Sequence, residues 1–381
     1  SLLIEGLKRL EYRGYDSAGL AVSTRGGGIR VVKSVGPVRR LEQKVRDVGL
    51  DTPVDETGAG IAHTRWATHG IPTEANAHPH GDARQRVFLV HNGIMDNSEE
   101  HRMRLAASGS VFASETDSEV LAHLIGEHFN GDLPQAVAAA LREVTGTFGL
   151  AVMSADAPDR LVVARRGSPI VLGIGEGETF VASDVTPILP FTNRVLYLND
   201  NEVAVVSASG AEIRNLENIP IRRDLHTVEW SLAAAEKGGH EHFMLKEILE
   251  QPRALSDTIR GRLDVELASA RLDGLKLSPR EIAGISRIVL TACGTSLHAA
   301  MVGEYYLEEL AGRPVEVAHP AEFRYRNPIV ERDTLVLAIS QSGETADTLA
   351  AVREALNKGA LVASICNVVG STLARETGRG I

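Results

Sequence analysis

The sequence predicts two domains of different class, a layered α+β domain followed by an α/β domain built on a parallel sheet. Three observations carry this reading. At 381 residues the chain is too long for one ordinary core. Residues 17–208 run as short strands, then two helices, then strands again, the order of a layered α+β fold. From residue 285 strands and helices alternate, which marks βαβ units and therefore a parallel sheet.

The elements follow in order. Residues 1–11 read as a helix, with Leu3, Leu7 and Leu10 at helical spacing. Four β-like stretches come next, at 17–24, 27–34, 58–66 and 86–93, divided by Gly and Pro turns. Helices are expected over 118–129 and 133–144. Strands resume at 147–154, 159–166, 168–175, 178–184, 194–200 and 202–208. The Gly-Ile-Gly-Glu-Gly run at 173–177 lies between two of these strands and opens no helix. It reads as a hairpin turn rather than a dinucleotide loop. Residues 226–243 are polar and contain glycine, as a linker does, and 243–259 read as a helix. Beyond them come strand 286–292, helix 296–311, strands 314–319 and 333–340, helix 345–359 and strand 360–367. The expected division is 1–225, a linker at 226–243, and a second domain at 244–381.

Composition narrows the function. The chain is 43% hydrophobic with a net charge of -10, and its mean hydropathy is -0.05. An acidic balance argues against a nucleic-acid phosphate track. No run of apolar residues is long enough to span a bilayer, and the amphipathic start is no signal peptide, so neither nucleic acid nor membrane is an expected partner. Two cysteines, Cys293 and Cys366, make no disulfide framework, and the reducing cytoplasm is the expected compartment. The chain opens on Ser1 inside a helix-like stretch and stops abruptly after another. It is therefore expected to be a fragment, truncated at both ends.

Three clusters in the first part bear chemistry: His-Thr-Arg-Trp-Ala-Thr-His-Gly at 63–70, His-Asn-Gly-Ile-Met-Asp-Asn at 91–97, and Ser-Glu-Thr-Asp-Ser-Glu-Val at 114–120. Arg65 offers a planar fork suited to a carboxylate. Asp117 can hold an ammonium, so the two facing one pocket would read an α-amino acid head group. Asn92 and Gly93 offer a side-chain amide and an uncrowded backbone N–H, the two donors of an oxyanion hole. Singly, such an Arg or Asp is ordinarily a surface charge and Asn-Gly a turn; together they suggest acyl chemistry on an amino-acid side chain. His63, His69, His78, His80 and His91 raise the question of zinc. No Cys lies near and no ligand spacing is clean, so no metal is expected. No nucleophile is evident: no Cys precedes 293, and no serine sits in a Gly-x-Ser-x-Gly elbow.

These stretches, with "LEYRGYDSAGLAV" and "NAHPH", resemble the glutaminase domain of the N-terminal-nucleophile (Ntn) amidotransferases. More narrowly they resemble the glucosamine-6-phosphate synthases, the isomerising glutamine:fructose-6-phosphate aminotransferases. The resemblance implies an αββα sandwich. It implies that an N-terminal Cys, expected upstream of Ser1, attacks the glutamine amide with its own α-amino group as base. Arg65 would then hold the glutamine α-carboxylate and Asp117 the α-ammonium. Asn92 and Gly93 would form the oxyanion hole, Thr68 and His69 would line the pocket, and Trp66 would gate the exit of ammonia.

In the second part the loop after strand 286–292, "TACGTS", places Thr295 and Ser296 at a helix start, where free N–H groups and the helix dipole favour an anion. The loop after strand 333–340, "SQSGETAD", does the same with Ser340, Gln341, Ser342 and Thr345. Two such loops at strand C-termini of one parallel sheet, without a Walker lysine, suit a small phosphorylated metabolite. Cys293 has no supporting base and reads as a packing residue. "ACGTS", "EFRYR", "SQSGETADT" and "ICNV" resemble the first sugar isomerase (SIS) domain of the same family. That implies fructose 6-phosphate as ligand of Thr295, Ser296, Ser340, Gln341, Ser342 and Thr345. It also implies no cofactor, a homodimer through SIS domains, and ammonia passing internally to make glucosamine 6-phosphate. The isomerase acid and base residues would lie in a second SIS domain beyond residue 381, so the fragment alone is expected to be inactive. The competing readings are a non-catalytic sugar-phosphate-binding regulator with a degenerate glutaminase domain, and an amidotransferase acting on another phosphosugar.

Overall fold

The computed structural model describes all residues except 1, 12–13, 25–27, 51–57, 67–69, 229–238, 265, 267 and 369. It divides into two compact units, residues 1–236 and 237–381.

Within the first unit, a seven-stranded antiparallel sheet runs in the order Pro220–Ile221, Gly210–Asn215, Glu202–Ser207, Ala157–Arg166, Gly146–Ser154, Val87–Met95, His80–Gly81. A three-stranded sheet has Ser17–Ser23 between Ile29–Val35 and Gly60–Arg65. A four-stranded sheet orders His226–Thr227, Arg194–Tyr197, Val171–Ile174 and Thr179–Ala182. Burial explains the layering. One face of the large sheet (Leu89, Phe148, Leu150, Val152) packs on helices Ser98–Ala107, Asp117–His128 and Leu133–Glu143. Its other face (Phe88, Val90, Met153, Val163) packs on residues of both smaller sheets, such as Ala21, Ile61 and Leu172. The outer side of the three-stranded sheet (Ala18, Leu20) is covered by helices Leu2–Leu10 and Val38–Asp47. Helix, sheet, sheet, helix is the αββα order. Side chains alternate across each strand, so two apolar faces on one strand demand a layer on either side.

The hairpin reading of 173–177 holds: Ile174 pairs with Thr179, and Gly177 takes φ 71° in the turn. The linker expected at 226–243 begins too early. His226 and Thr227 pair with Val195 and Arg194 and so extend a sheet of the first unit. A two-residue strand carries too little pattern to be read from sequence. Residues 229–238 of that stretch lie outside the described residues. Helices 38–47 and 98–107 are additions to the sequence-based expectation. The first buries only Val38, Leu41 and Val45, the second only His101 and Leu105, so charged residues mask their periodicity.

In the second unit four parallel strands lie in the order Val315–Ala318, Arg287–Ala292, Thr334–Ser340, Leu361–Cys366. Val336 and Ala338 face helices Pro320–Tyr325, Ala346–Asn357 and Thr372–Thr377, while Leu335, Leu337 and Ile339 face helix Thr295–Ala311. The chain leaves strand 287–292 for one neighbour and returns for the other. The strand order therefore reverses between 287–292 and 334–340, the place where such sheets hold ligands.

Candidate functional site

Arg65 ends strand 60–65 and is buried, with Nη2 donating to Gly70 O at 3.2 Å. Burial lowers its pKa, while Asp16, Asp117 and Glu115 stabilise its charge. Asp117 opens helix 117–128, capped by Thr116, and its Oδ2 accepts the N–H of Met95 at 2.9 Å. The segment before that helix is held tightly. Glu119 accepts the N–H groups of Ala113 and Ser114, Arg102 donates to Ser114 O and Thr116 O, and Asn76 bridges to Glu115 by both ends of its amide. Sequence reasoning gives Asn76 no role; an Asn directly before the buried histidine segment is the available signal.

Strand 87–95 carries the donors. The N–H of His91 goes to His78 Nδ1 at 3.3 Å, and that of Met95 goes to Asp117, so these leave the ladder on one side. Ile94 N donates the other way, to Thr147 Oγ1. By the alternation of a strand the N–H of Gly93 shares the edge of His91 and Met95. A Cβ on Gly93 would lie 2.2 Å from Thr147 O, and φ is 141°, so the position requires glycine. Asn92 Oδ1 lies 2.8 Å from His63 Nε2. An imidazole N–H there donates to the amide oxygen, which turns the amide N–H pair the other way.

Burial favours the neutral form of the surrounding histidines. Burial pushes His63 down to about 4, and His78 and His80 well below the ordinary imidazole range; Lys33 adds to the effect on both. Burial lowers His91 also, with Asp117 opposing. His91 Nε2 donates to Thr147 O at 3.3 Å, leaving Nδ1 to Ser118 Oγ at 3.0 Å. Lys33, in the same cross-strand row as Gly19 and His63, falls to about 8 because it is desolvated. Among the described residues no cluster of three His, Cys, Asp or Glu side chains could hold a metal ion.

Of the residues singled out from sequence, Asn92 and Gly93 lie on strand 87–95, Asp117 bonds the end of that strand, and Arg65, on the three-stranded sheet, feels the charge of Asp117. Trp66 is exposed and meets Tyr15 edge to face at 5.5 Å. Thr68 and His69 lie outside the described residues.

In the second unit the two loops follow adjacent parallel strands, with Ala292 in register with Ile339. Helix 295–311 starts at Gly294 and helix 346–357 at Thr345, and neither has a side-chain cap. Their first N–H groups stay available to an anion. Ser340 Oγ accepts Gly343 N at 3.0 Å and Ser342 Oγ accepts Glu344 N at 3.2 Å, so each hydroxyl keeps its own proton to donate. Thr295 and Gln341 are exposed, while Ser296, Ser342 and Thr345 are partly buried. Burial raises the Cys293 thiol, the wrong direction for a nucleophile.

Residues 63–190 match the glutamine amidotransferase domain family and residues 281–381 the SIS domain family. A protein of Chlorobaculum tepidum named glutamine--fructose-6-phosphate aminotransferase (isomerizing) is 50% identical over 380 residues, 99% of this chain and 61% of that protein. A protein of the same name from Thermus thermophilus is 50% identical over 375 residues, 98% of this chain and 60% of that one. The chain thus spans about three fifths of these curated relatives. Among solved structures, glutamine phosphoribosylpyrophosphate amidotransferase from B. subtilis aligns over 96% of this chain and 78% of its own, with TM-score 0.50 and 19% identity, a likeness of fold.

Proposed function

We propose, from the premise that this chain is homologous over nearly its whole length to the glutamine--fructose-6-phosphate aminotransferases, that its protein transfers the amide nitrogen of glutamine to fructose 6-phosphate, giving glutamate and glucosamine 6-phosphate. The chain carries a glutamine amidotransferase domain and an SIS domain. The observation that carries the reading is the pair of donors at 92 and 93. A His63-held amide and an outward N–H sit beside a buried Arg65 and Asp117. Arg65 takes the α-carboxylate of glutamine and Asp117 its α-ammonium, while Asn92 and Gly93 receive the oxygen that becomes anionic when the amide carbonyl is attacked. Thr68 and His69 line this pocket and Trp66 gates the departing ammonia. The covalent attack is assigned to none of residues 1–381.

Thr295, Ser296, Ser340, Gln341, Ser342 and Thr345 hold the phosphate and hydroxyls of the sugar. Ammonia condenses with the C2 ketone and water leaves; isomerisation then gives the amino aldose. Enclosing the transfer keeps ammonia from water. The protein works in the cytoplasm, without cofactor, as a homodimer through SIS domains. Calorimetric titration of the chain tests the reading. L-glutamine and fructose 6-phosphate should each bind, the latter more tightly than other ketose or aldose phosphates. No preference for fructose 6-phosphate would favour an amidotransferase of another phosphosugar, and sugar-phosphate binding without glutamine binding would favour a regulator.

A further inference from the structure

An asparagine amide can present either its oxygen or its N–H pair to a ligand, and only the second orientation stabilises an oxyanion. We infer that His63 makes this choice: it is a positioning residue that holds Asn92 with its amide N–H pair toward the pocket. The inference rests on the proposed glutaminase reading of the first unit.

Three constraints fix the His63 ring. Its backbone lies in strand 60–65, in register with Gly19 of the central strand. Its face stacks on His78, with centroids 4.2 Å apart and planes at 29°. His78 is itself seated on the sheet, because a Cβ on Gly19 would lie 2.1 Å from His78 O, so only glycine lets that segment approach. The third constraint is Asn92 Oδ1, 2.8 Å from Nε2.

The proton inventory selects one arrangement. His63 Nδ1 is buried without a hydrogen-bond partner among the described residues. It has none in either tautomer, but a proton placed there would be a buried donor with nothing to meet and would also leave Nε2 a bare acceptor facing the amide oxygen of Asn92. Protonation at Nε2 instead makes a hydrogen bond to the amide oxygen. The amide of Asn92 is then no longer free to exchange ends, and its nitrogen takes the opposite direction. Asp117 and Arg65 lie in the same site, so reversal would set the amide oxygen where a developing negative charge must be received.

The test compares His63→Leu, which removes the donor, with His63→Gln, which keeps a terminal N–H. The Asn92 side-chain amide is followed by ¹H–¹⁵N NMR, assigned through its loss in Asn92→Asp. Wild type and His63→Gln should give one dispersed amide pair; His63→Leu should give a pair averaged toward the free-amide position. Calorimetry then compares L-glutamine with L-norvaline, which keeps the α-amino acid head group but lacks the amide. His63→Leu should weaken L-glutamine binding about tenfold, one hydrogen bond's worth, and leave L-norvaline unchanged, and His63→Gln should restore the difference. An unchanged amide pair in His63→Leu, or equal weakening of both ligands, overturns the assignment. Failure of wild type to bind L-glutamine would count against the proposed function, and the NMR comparison would still decide the role of His63.

Discussion

Gly93→Ala tests the geometry of the donor strand most directly. Alanine at φ 141° carries backbone strain, and its Cβ would stand 2.2 Å from Thr147 O and 2.7 Å from Thr147 C, both backbone atoms. Neither can rotate aside, so strand 146–154 must shift. Strain of about 1–2 kcal/mol and overpacking of about 1–3 kcal/mol sum to roughly 3 kcal/mol. For a unit of this size that lowers the midpoint of thermal unfolding by about 6–12 °C. Gly109→Ala is the matched control: φ is 94°, but no atom lies within 4 Å of the added Cβ. It carries the strain of about 1–2 kcal/mol without the clash, and its midpoint should fall by about 2–8 °C, less than that of Gly93→Ala. Scanning both variants by circular dichroism gives the comparison. Equal shifts in the two would refute the claim that close approach, rather than backbone conformation alone, requires glycine at 93.

Two further predictions concern the histidines and the second unit. In the unfolded chain imidazoles take up protons near pH 6.5, whereas burial holds His63 down to about 4 and lowers His78, His80 and His91 as well. The unfolded state therefore binds more protons below that pH, and stability is lost as pH falls, by at most about 1.4 kcal/mol per pH unit for each histidine. Urea midpoints at about pH 5.5 should lie below those at about pH 7.5, and an equal or higher midpoint in acid would contradict neutral burial. Separately, Cys293→Ala should leave fructose 6-phosphate affinity within about twofold, while Thr295→Val with Ser296→Ala should weaken it at least tenfold by calorimetry; the opposite ranking would make the thiol, not the hydroxyls, the ligand contact.

Much of the fold is legible ahead of the structure because its strands are strongly patterned. Residues 334–340 alternate buried and partly buried along their length, and 87–95 and 146–154 contain the apolar runs 87–90 and 150–153. Helices 38–47 and 98–107 are hidden because they lie on the surface with two or three buried residues each. The site divides similarly. Arg65, Asn92, Gly93 and Asp117 are each distinctive in chemistry and adjacent to a strand or helix end. In sequence His63 suggests only a metal ligand, because its effect depends on a residue of a different sheet, 29 positions away, and on a ring stacked against it. Lys33 is invisible for the same reason: its row with Gly19 and His63 exists only once the three strands are paired.

The uncapped helix starts at Gly294 and Thr345 have a further consequence. Elsewhere the chain does cap helices, at Thr116, Asp132, Ser278 and Ser371. Leaving the two starts beside the strand ends without side-chain partners forgoes about 1 kcal/mol apiece. An anion that accepts those N–H groups restores what the caps would have given, and does so only in the folded state. An anion seated there would become a structural part of the second unit while bound, and the rigidity of that unit would rise and fall with the supply of the anion.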